Sequence, residues 1–155
     1  MPQGSTKAKK VSFPCVCARN SVPLQENTNF NETSLMKKKI LILDDKETIA
    51  KVLSIYLQSE FQCTWLPDGL QGVKWLQDGN TPDLIISDIR MPGMRGDEFL
   101  AWIKQNELFK HIPVIMLSSE DSTSERIKLL EVGASDYIVK PFNPMELKIR
   151  IKKII

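Results

Sequence analysis

The stretch DLIISDIRMPG (Asp83–Gly93) decides the fold class. Its LIIS core shows no alternation of apolar and polar residues, which is how a strand reads when helices cover both of its faces. An aspartate closes the run, and Pro92-Gly93 breaks the chain shortly after it. ILIL (Ile40–Leu43), closed by Asp44-Asp45, has the same form. Working outward from these two, strands are predicted over Lys39–Leu43, Gln62–Leu66, Asp83–Ser87, Pro113–Leu117 and Asp136–Val139, with the first and third central. Between them, Ile49, Val52, Leu53, Tyr56 and Leu57 fall at helical spacing, as do Val73 with Leu76, Phe99 with Leu100 and Ile103, and Ile127 with Leu130. Each set is expected to lay one apolar stripe on the sheet. Pro67-Asp68-Gly69, Asp78-Gly79-Asn80 and Gly133 supply the turns and helix ends. The result is an α/β chain of repeated βα units around a parallel sheet.

The last segment reads two ways, since Leu147, Ile149 and Ile151 alternate like a strand while Asn143-Pro144 makes a cap and first turn. A helix is predicted, because the fifth strand needs a covering helix and a further parallel strand would lack a crossover. Leu147, Ile151, Ile154 and Ile155 then share a face, and Ile149 is left facing solvent or a partner.

The chain has 155 residues, room for one domain and an extension. With 42% hydrophobic and 26% charged residues it has an ordinary soluble composition, and no apolar run approaches the roughly 20 residues that span a bilayer. Residues 1–36 carry four basic and two acidic groups, and residues 37–155 carry seventeen of each. The predicted folded part is thus neutral, which argues against direct nucleic-acid binding. Cys15, Cys17 and Cys63 fit neither a disulfide scaffold nor a zinc module, so a reducing cytoplasm is the expected compartment. Residues 1–36, with three prolines and no apolar period, are expected to be a disordered or non-native extension, Met36 being a reasonable start for the pattern that follows. Lys7, Lys9 and Lys10 precede VSFPCVCA, but that stretch is short, holds Pro14 and runs into Arg19, so no secretory signal is expected.

In an open parallel sheet the ligand crevice lies beyond the carboxyl ends of the strands. The residues there are Asp44-Asp45, Asp88, Ser118-Ser119 and Lys140-Pro141. Three gathered carboxylates repel one another, and a hard divalent cation held by oxygen ligands relieves the repulsion, magnesium being the natural candidate. A cation on one side, a lysine on the other and a hydroxyl between them suit a phosphoryl group, with Asp88 as nucleophile, its carboxylate expected to be left open by the Pro92-Gly93 loop. Taken singly, each residue has a plainer role: Asp44-Asp45 and Ser118-Ser119 as helix caps, Asp88 as a turn residue, Lys140 as a solvated lysine. Their joint arrival at one edge of one sheet favours the chemical reading.

These residues also carry a family resemblance. Residues 37–155 resemble a response-regulator receiver domain of two-component systems, of the chemotaxis-regulator type, through LILDD (Leu41–Asp45), SDIRMPGMRG (Ser87–Gly96), PVIMLSSED (Pro113–Asp121) and GASDYIVKPF (Gly133–Phe142). The resemblance implies a flavodoxin-like (βα)5 sandwich with strand order 2-1-3-4-5. It also implies magnesium-dependent transfer, manganese serving as well, of a phosphoryl group from a sensor histidine kinase or a histidine phosphotransfer protein to Asp88. Asp44, Asp45, Asp88 and the backbone carbonyl of Arg90 would hold the metal. Lys140 would contact the phosphoryl group, Ser118 and Tyr137 would form the switch, and the Lys140–Pro141 bond would be cis. Such a domain is a phosphoacceptor rather than an enzyme, catalysing only its own phosphoryl uptake and hydrolysis.

Arg90 and Glu120 each lie two residues beyond Asp88 and Ser118, and the resemblance sets them at the entrance used by attacking water. Their pairing is expected to slow hydrolysis. Output is expected through the fourth helix, fifth strand and fifth helix, where Ile149 with Lys148, Arg150, Lys152 and Lys153 offers a contact for an effector or a second copy. The chain stops soon after, so output is either by protein contact or through a domain lying outside this sequence. A phosphohydrolase would need an aspartate where Arg90 stands. The remaining alternative is a pseudo-receiver that binds partners without accepting phosphate.

Overall fold

The computed structural model describes residues 37–155, so the expected extension over residues 1–36, with Cys15 and Cys17, lies outside the described residues. Among the described residues five strands alternate with five helices: β1 Lys38–Leu43, α1 Glu47–Leu57, β2 Phe61–Leu66, α2 Gly69–Gln77, β3 Leu84–Asp88, α3 Gly96–Gln105, β4 Val114–Ser118, α4 Thr123–Val132, β5 Asp136–Val139 and α5 Pro144–Ile154. The sheet is parallel throughout, in the order β2-β1-β3-β4-β5. Each predicted strand is present with ends shifted by no more than one residue. The flavodoxin-like architecture is the one expected, and β1 and β3 lie inside the sheet together with β4.

Strand alternation sorts the core into two layers. Ile40, Ile42, Leu84, Ile86, Ile115 and Leu117 pack on Ala50, Leu53 and Leu57 of α1 and on Leu147 and Ile151 of α5. Leu41, Leu43, Ile85, Val114 and Met116 pack on Leu76, Phe99, Leu100, Ile103 and Leu129 from α2, α3 and α4. With β3 and β4 buried along their whole length, each of these large side chains contributes about 1.5 to 3 kcal/mol. Asp68, Ser122 and Asn143 cap α2, α4 and α5 through their side chains, and the Gly133 N–H closes α4 onto Leu129 and Leu130 at φ 132°.

Two stripes differ from expectation. On α1 the buried line is Ala50, Leu53 and Leu57, while Val52 and Tyr56 are exposed, because the small Ala50 lets that edge of the helix approach the sheet. On α4, Ile127 and Leu130 face outward and only Leu129 is buried. Glu125 and Arg126 take the inward line because both engage Tyr137. On α5, Leu147 and Ile151 are buried and Ile149 is exposed, as the helical reading required. The basic residues beside it are largely engaged within the chain. Lys148 and Lys152 pair with Glu60, and Arg150 pairs with Asp136 and Glu146.

Burial pushes the Cys63 thiol up to about 12 from its ordinary 9.0. A raised thiol pKa contributes stability that is complete below the unfolded value and is lost as pH rises through the folded one. Urea unfolding from pH 8 to pH 11 should therefore show wild type losing up to about 1.4 kcal/mol per pH unit more than Cys63→Ala above pH 9. Parallel losses in the two proteins would refute this.

Candidate functional site

Parallel pairing places every predicted strand-end residue at one edge of the sheet. Asp88 is the last residue of β3 and Ser118 the last of β4, one position further into the ladder than expected, because Asp88 stands in register with Leu117 and Ser118 with Val139. Asp44 and Lys140 immediately follow β1 and β5. An oxygen from each of Asp44, Asp45 and Asp88 lies within 4.8 Å of the others. Lys140 Nζ reaches Asp88 Oδ1 at 3.1 Å and Asp44 Oδ2 at 3.3 Å. The Lys140–Pro141 peptide is cis, as the resemblance implied.

The Asp88 carboxylate is less open than the Pro-Gly loop suggested, its side chain being 8% exposed, because Lys140 covers it. Asp44 is fully buried and Asp45 is exposed, which leaves Asp45 as the solvent side of the cluster. Burial raises the Asp44 pKa, and the Asp88 charge adds to this, against the opposing Lys46 N–H and the Lys140 ammonium. For Lys140, burial acts downward but Asp44 and Asp88 together carry the pKa above its ordinary value. Three carboxylates face one ammonium, so negative charge is in excess. The donor set is all hard oxygen, a buried carboxylate at its floor and an exposed one at its rim, and it fits a divalent cation of the magnesium or manganese kind.

The plainer cap roles are not realised. Lys46 is the N-cap of α1 and has no side-chain cap bond, although Asp44 Oδ1 accepts its N–H at 2.8 Å. The cap of α4 is Ser122 rather than Ser118 or Ser119.

Ser118 and Tyr137 meet at one atom. The Glu120 carbonyl accepts from Ser118 Oγ at 3.1 Å and from the Tyr137 hydroxyl at 3.0 Å, while Ser118 Oγ accepts the Glu120 N–H at 3.0 Å. Tyr137 is buried, with Arg126 over its ring and Glu125 Oε1 at 3.1 Å sharing its one hydroxyl proton with the Glu120 carbonyl. Arg90 and Glu120 form the expected pair across the mouth, with both side chains exposed. Sequence reasoning set Glu125 on the expected output surface and missed its contact with Tyr137. It also missed Trp65, whose indole N–H donates to the Asp44 carbonyl. No pattern in the chain links either residue to its contact.

The β3–α3 loop closes tightly beneath Asp88. The Gly96 N–H donates to the Ile89 carbonyl at 2.8 Å, and a Cβ on Gly96 would sit 2.0 Å from the Asp88 carbonyl oxygen. Only a residue without a side chain admits this approach.

Among the described residues no helix is long and apolar enough to cross a membrane. The family described as response regulator receiver domain matches residues 40–152. The phosphate regulon transcriptional regulatory protein PhoB of Pseudomonas aeruginosa is 37% identical over 122 residues, covering 78% of this chain and 53% of that protein. The chain thus spans about half the length of such curated relatives. Among solved structures, the chemotaxis response regulator CheY4 of Vibrio cholerae superposes with a TM-score of 0.72 at 31% identity, over 77% of this chain and 100% of that one. The Mn(2+)-bound form of response regulator Rcp1 gives 0.66 at 28%, over 76% and 91%. Motifs, sheet order and site geometry converge with these matches: the chain belongs to the response regulator receiver domain family, the phosphorylation-based signalling module of two-component systems.

Proposed function

We propose that residues 37–155 form a receiver unit in which Asp88 accepts a phosphoryl group from the phosphohistidine of a cytoplasmic sensor histidine kinase or histidine phosphotransfer protein. The observation that carries this reading is Lys140 Nζ held against Asp88 and Asp44 inside a cluster of three carboxylates. An Asp88 carboxylate oxygen attacks phosphorus, the phosphorus–nitrogen bond breaks, and the electron pair leaves with the imidazole. The product is an acyl phosphate on Asp88. Lys140 orients the nucleophile before transfer and neutralises phosphoryl oxygens after it. Asp44, Asp45 and Asp88, with the Arg90 carbonyl, would hold a divalent cation of the magnesium or manganese kind, the Rcp1 structure being a Mn(2+)-bound form, and the cation would supply charge neutralisation for the carboxylates and the incoming phosphoryl group.

The shared Glu120 carbonyl gives the signal its first mechanical step. A phosphoryl group adds roughly 1.5 to 2 negative charges and strong acceptor oxygens. When Ser118 Oγ turns to donate to it, the Glu120 carbonyl is left to the Tyr137 hydroxyl. The α4–β5–α5 surface, with Ile127, Leu130 and Ile149 exposed, carries this change to an effector or a second copy.

Intact-mass analysis after incubation with magnesium and acetyl phosphate tests the proposal. A labile phosphoryl adduct is expected on wild type and none on Asp88→Ala. No adduct on wild type, under conditions where a known receiver reacts, would identify a pseudo-receiver instead.

The Arg90–Glu120 pair shields the acyl phosphate from water. Because both side chains are exposed, at 60% and 51%, its effect is modest. Arg90→Ala should shorten the phosphoryl lifetime by a few-fold, on the order of the 1 kcal/mol upper range for such pairs, and an unchanged lifetime would contradict the shielding role.

A further inference from the structure

Asp44 and Asp45 sit at the junction of β1 and α1, where Lys46 makes no side-chain cap bond and Asp44 Oδ1 accepts the Lys46 N–H at 2.8 Å. Further bracing, of the main chain itself, comes from the edge strand. The Asp44 N–H donates to the Leu66 carbonyl at 3.2 Å, and Trp65 Nε1 donates to the Asp44 carbonyl at 2.8 Å. The second bond holds a carbonyl that lies past the end of the β1–β2 ladder, because β2 ends at Leu66. Trp65 is itself held in place, its ring packing at the margin of the layer formed with α1 and α5.

The carbonyl that Trp65 holds belongs to the peptide joining Asp44 to Asp45. A peptide unit is planar, so fixing its oxygen fixes the plane, and with it the relative directions of the two side chains that flank it. One of those side chains is buried and tied to Lys140, whereas the other is exposed and has no such anchor. Rotation of the Asp44–Asp45 peptide would swing the Asp45 carboxylate away from the other two. We infer that Trp65 is a positioning residue for the acidic cluster, its indole N–H setting the peptide plane that brings Asp45 within coordinating reach of a divalent cation. This rests on the metal-binding reading above.

The test is calorimetric titration of the full-length chain with magnesium, compared with urea unfolding of the metal-free protein. The decisive variant replaces Trp65 by benzothienylalanine, which keeps the ring shape and puts sulfur in place of the N–H. Trp65→Phe accompanies it, and Trp102→Phe serves as control, since that ring stacks between Phe99 and Phe109 in the other layer. Loss of one hydrogen bond to a supporting group predicts magnesium affinity weakened roughly 3- to 10-fold in the isostere and in Trp65→Phe. The urea midpoint of the isostere and the affinity of Trp102→Phe should stay at the wild-type values. Equal binding by wild type and isostere overturns the inference and leaves the metal site standing, as does weakened binding that tracks a lowered midpoint or is matched by Trp102→Phe. Absence of magnesium binding to wild type overturns both.

Discussion

Gly96→Ala should lose about 3 kcal/mol of stability or more, enough to lower the melting temperature by roughly 10 °C. The atom it adds has nowhere to go. Its position lies 2.0 Å from the Asp88 carbonyl oxygen and 2.9 Å from Ser87 Oγ, both on a central strand buried over its whole length. Overpacking is tolerated where a flexible side chain can yield, but here the obstacle is main chain. Relief requires α3 to withdraw from β3, which stretches the Gly96 N–H bond to the Ile89 carbonyl and disturbs Asp88, the proposed acceptor. The variant should therefore lose phosphoryl uptake in step with stability, whereas Gly79→Ala, with open space around the added atom and its strain confined to a positive φ, should keep uptake. Differential scanning calorimetry with intact-mass analysis checks both halves. A Gly96→Ala protein that melts within a degree or two of wild type would show that the loop is not packed as described.

Lys140→Met is expected to have an effect of similar size with the opposite chemical signature. Methionine preserves much of the stem and removes the charge, leaving the fully buried Asp44 and the nearly buried Asp88 without their cation. Removing one partner from a buried ion pair typically costs about 3 to 5 kcal/mol, and the partial exposure of Lys140 places this case near the lower end. The pH dependence gives the sign. Lys140 has a raised pKa in the folded protein, so its contribution is complete below the unfolded lysine value, near 10.4, and is lost as pH rises through the folded one. At the acid end Asp44, already raised by burial, takes up a proton and no longer needs a cation. The deficit of the variant relative to wild type is thus full in the neutral range, narrows toward acid as Asp44 protonates and narrows toward alkali above the unfolded lysine value. Chemical denaturation from the acid through the neutral into the strongly alkaline range measures it, and a deficit independent of pH would show that packing rather than charge is what Lys140 supplies.

The sheet and the strand-end residues were legible in the sequence because both depend on local signals. Apolar runs such as ILIL and LIIS declare burial on two faces, and parallel pairing sends every run's following residue to one edge. Helix orientation was less legible. Ile127 and Leu130 have helical spacing, yet α4 is turned by what Glu125 and Arg126 do to Tyr137, a preference that no apolar period encodes. Ala50 was passed over because a methyl group contributes little to a pattern of large apolar residues, although in the packed core its smallness is what matters. The strand-end residues were all legible, but the openness of Asp88 was overestimated, since the loop that follows is visible in sequence and the lysine that covers it is distant in the chain. Trp65 and Glu125 act through a single backbone or side-chain hydrogen bond each, and such bonds leave no periodic trace.

That distance along the chain also governs when the site comes into being. The bond between Lys140 and Asp44 spans 96 residues, and the carboxylates come from β1 and β3 while the ammonium follows the edge strand β5. Contacts of such long sequence separation carry a large loop-closure entropy and form late in folding, after the local helices and the first strand pairs. The proposed phosphoacceptor site, with its lysine supplied from behind the edge strand, is therefore complete only once β5 has joined the sheet.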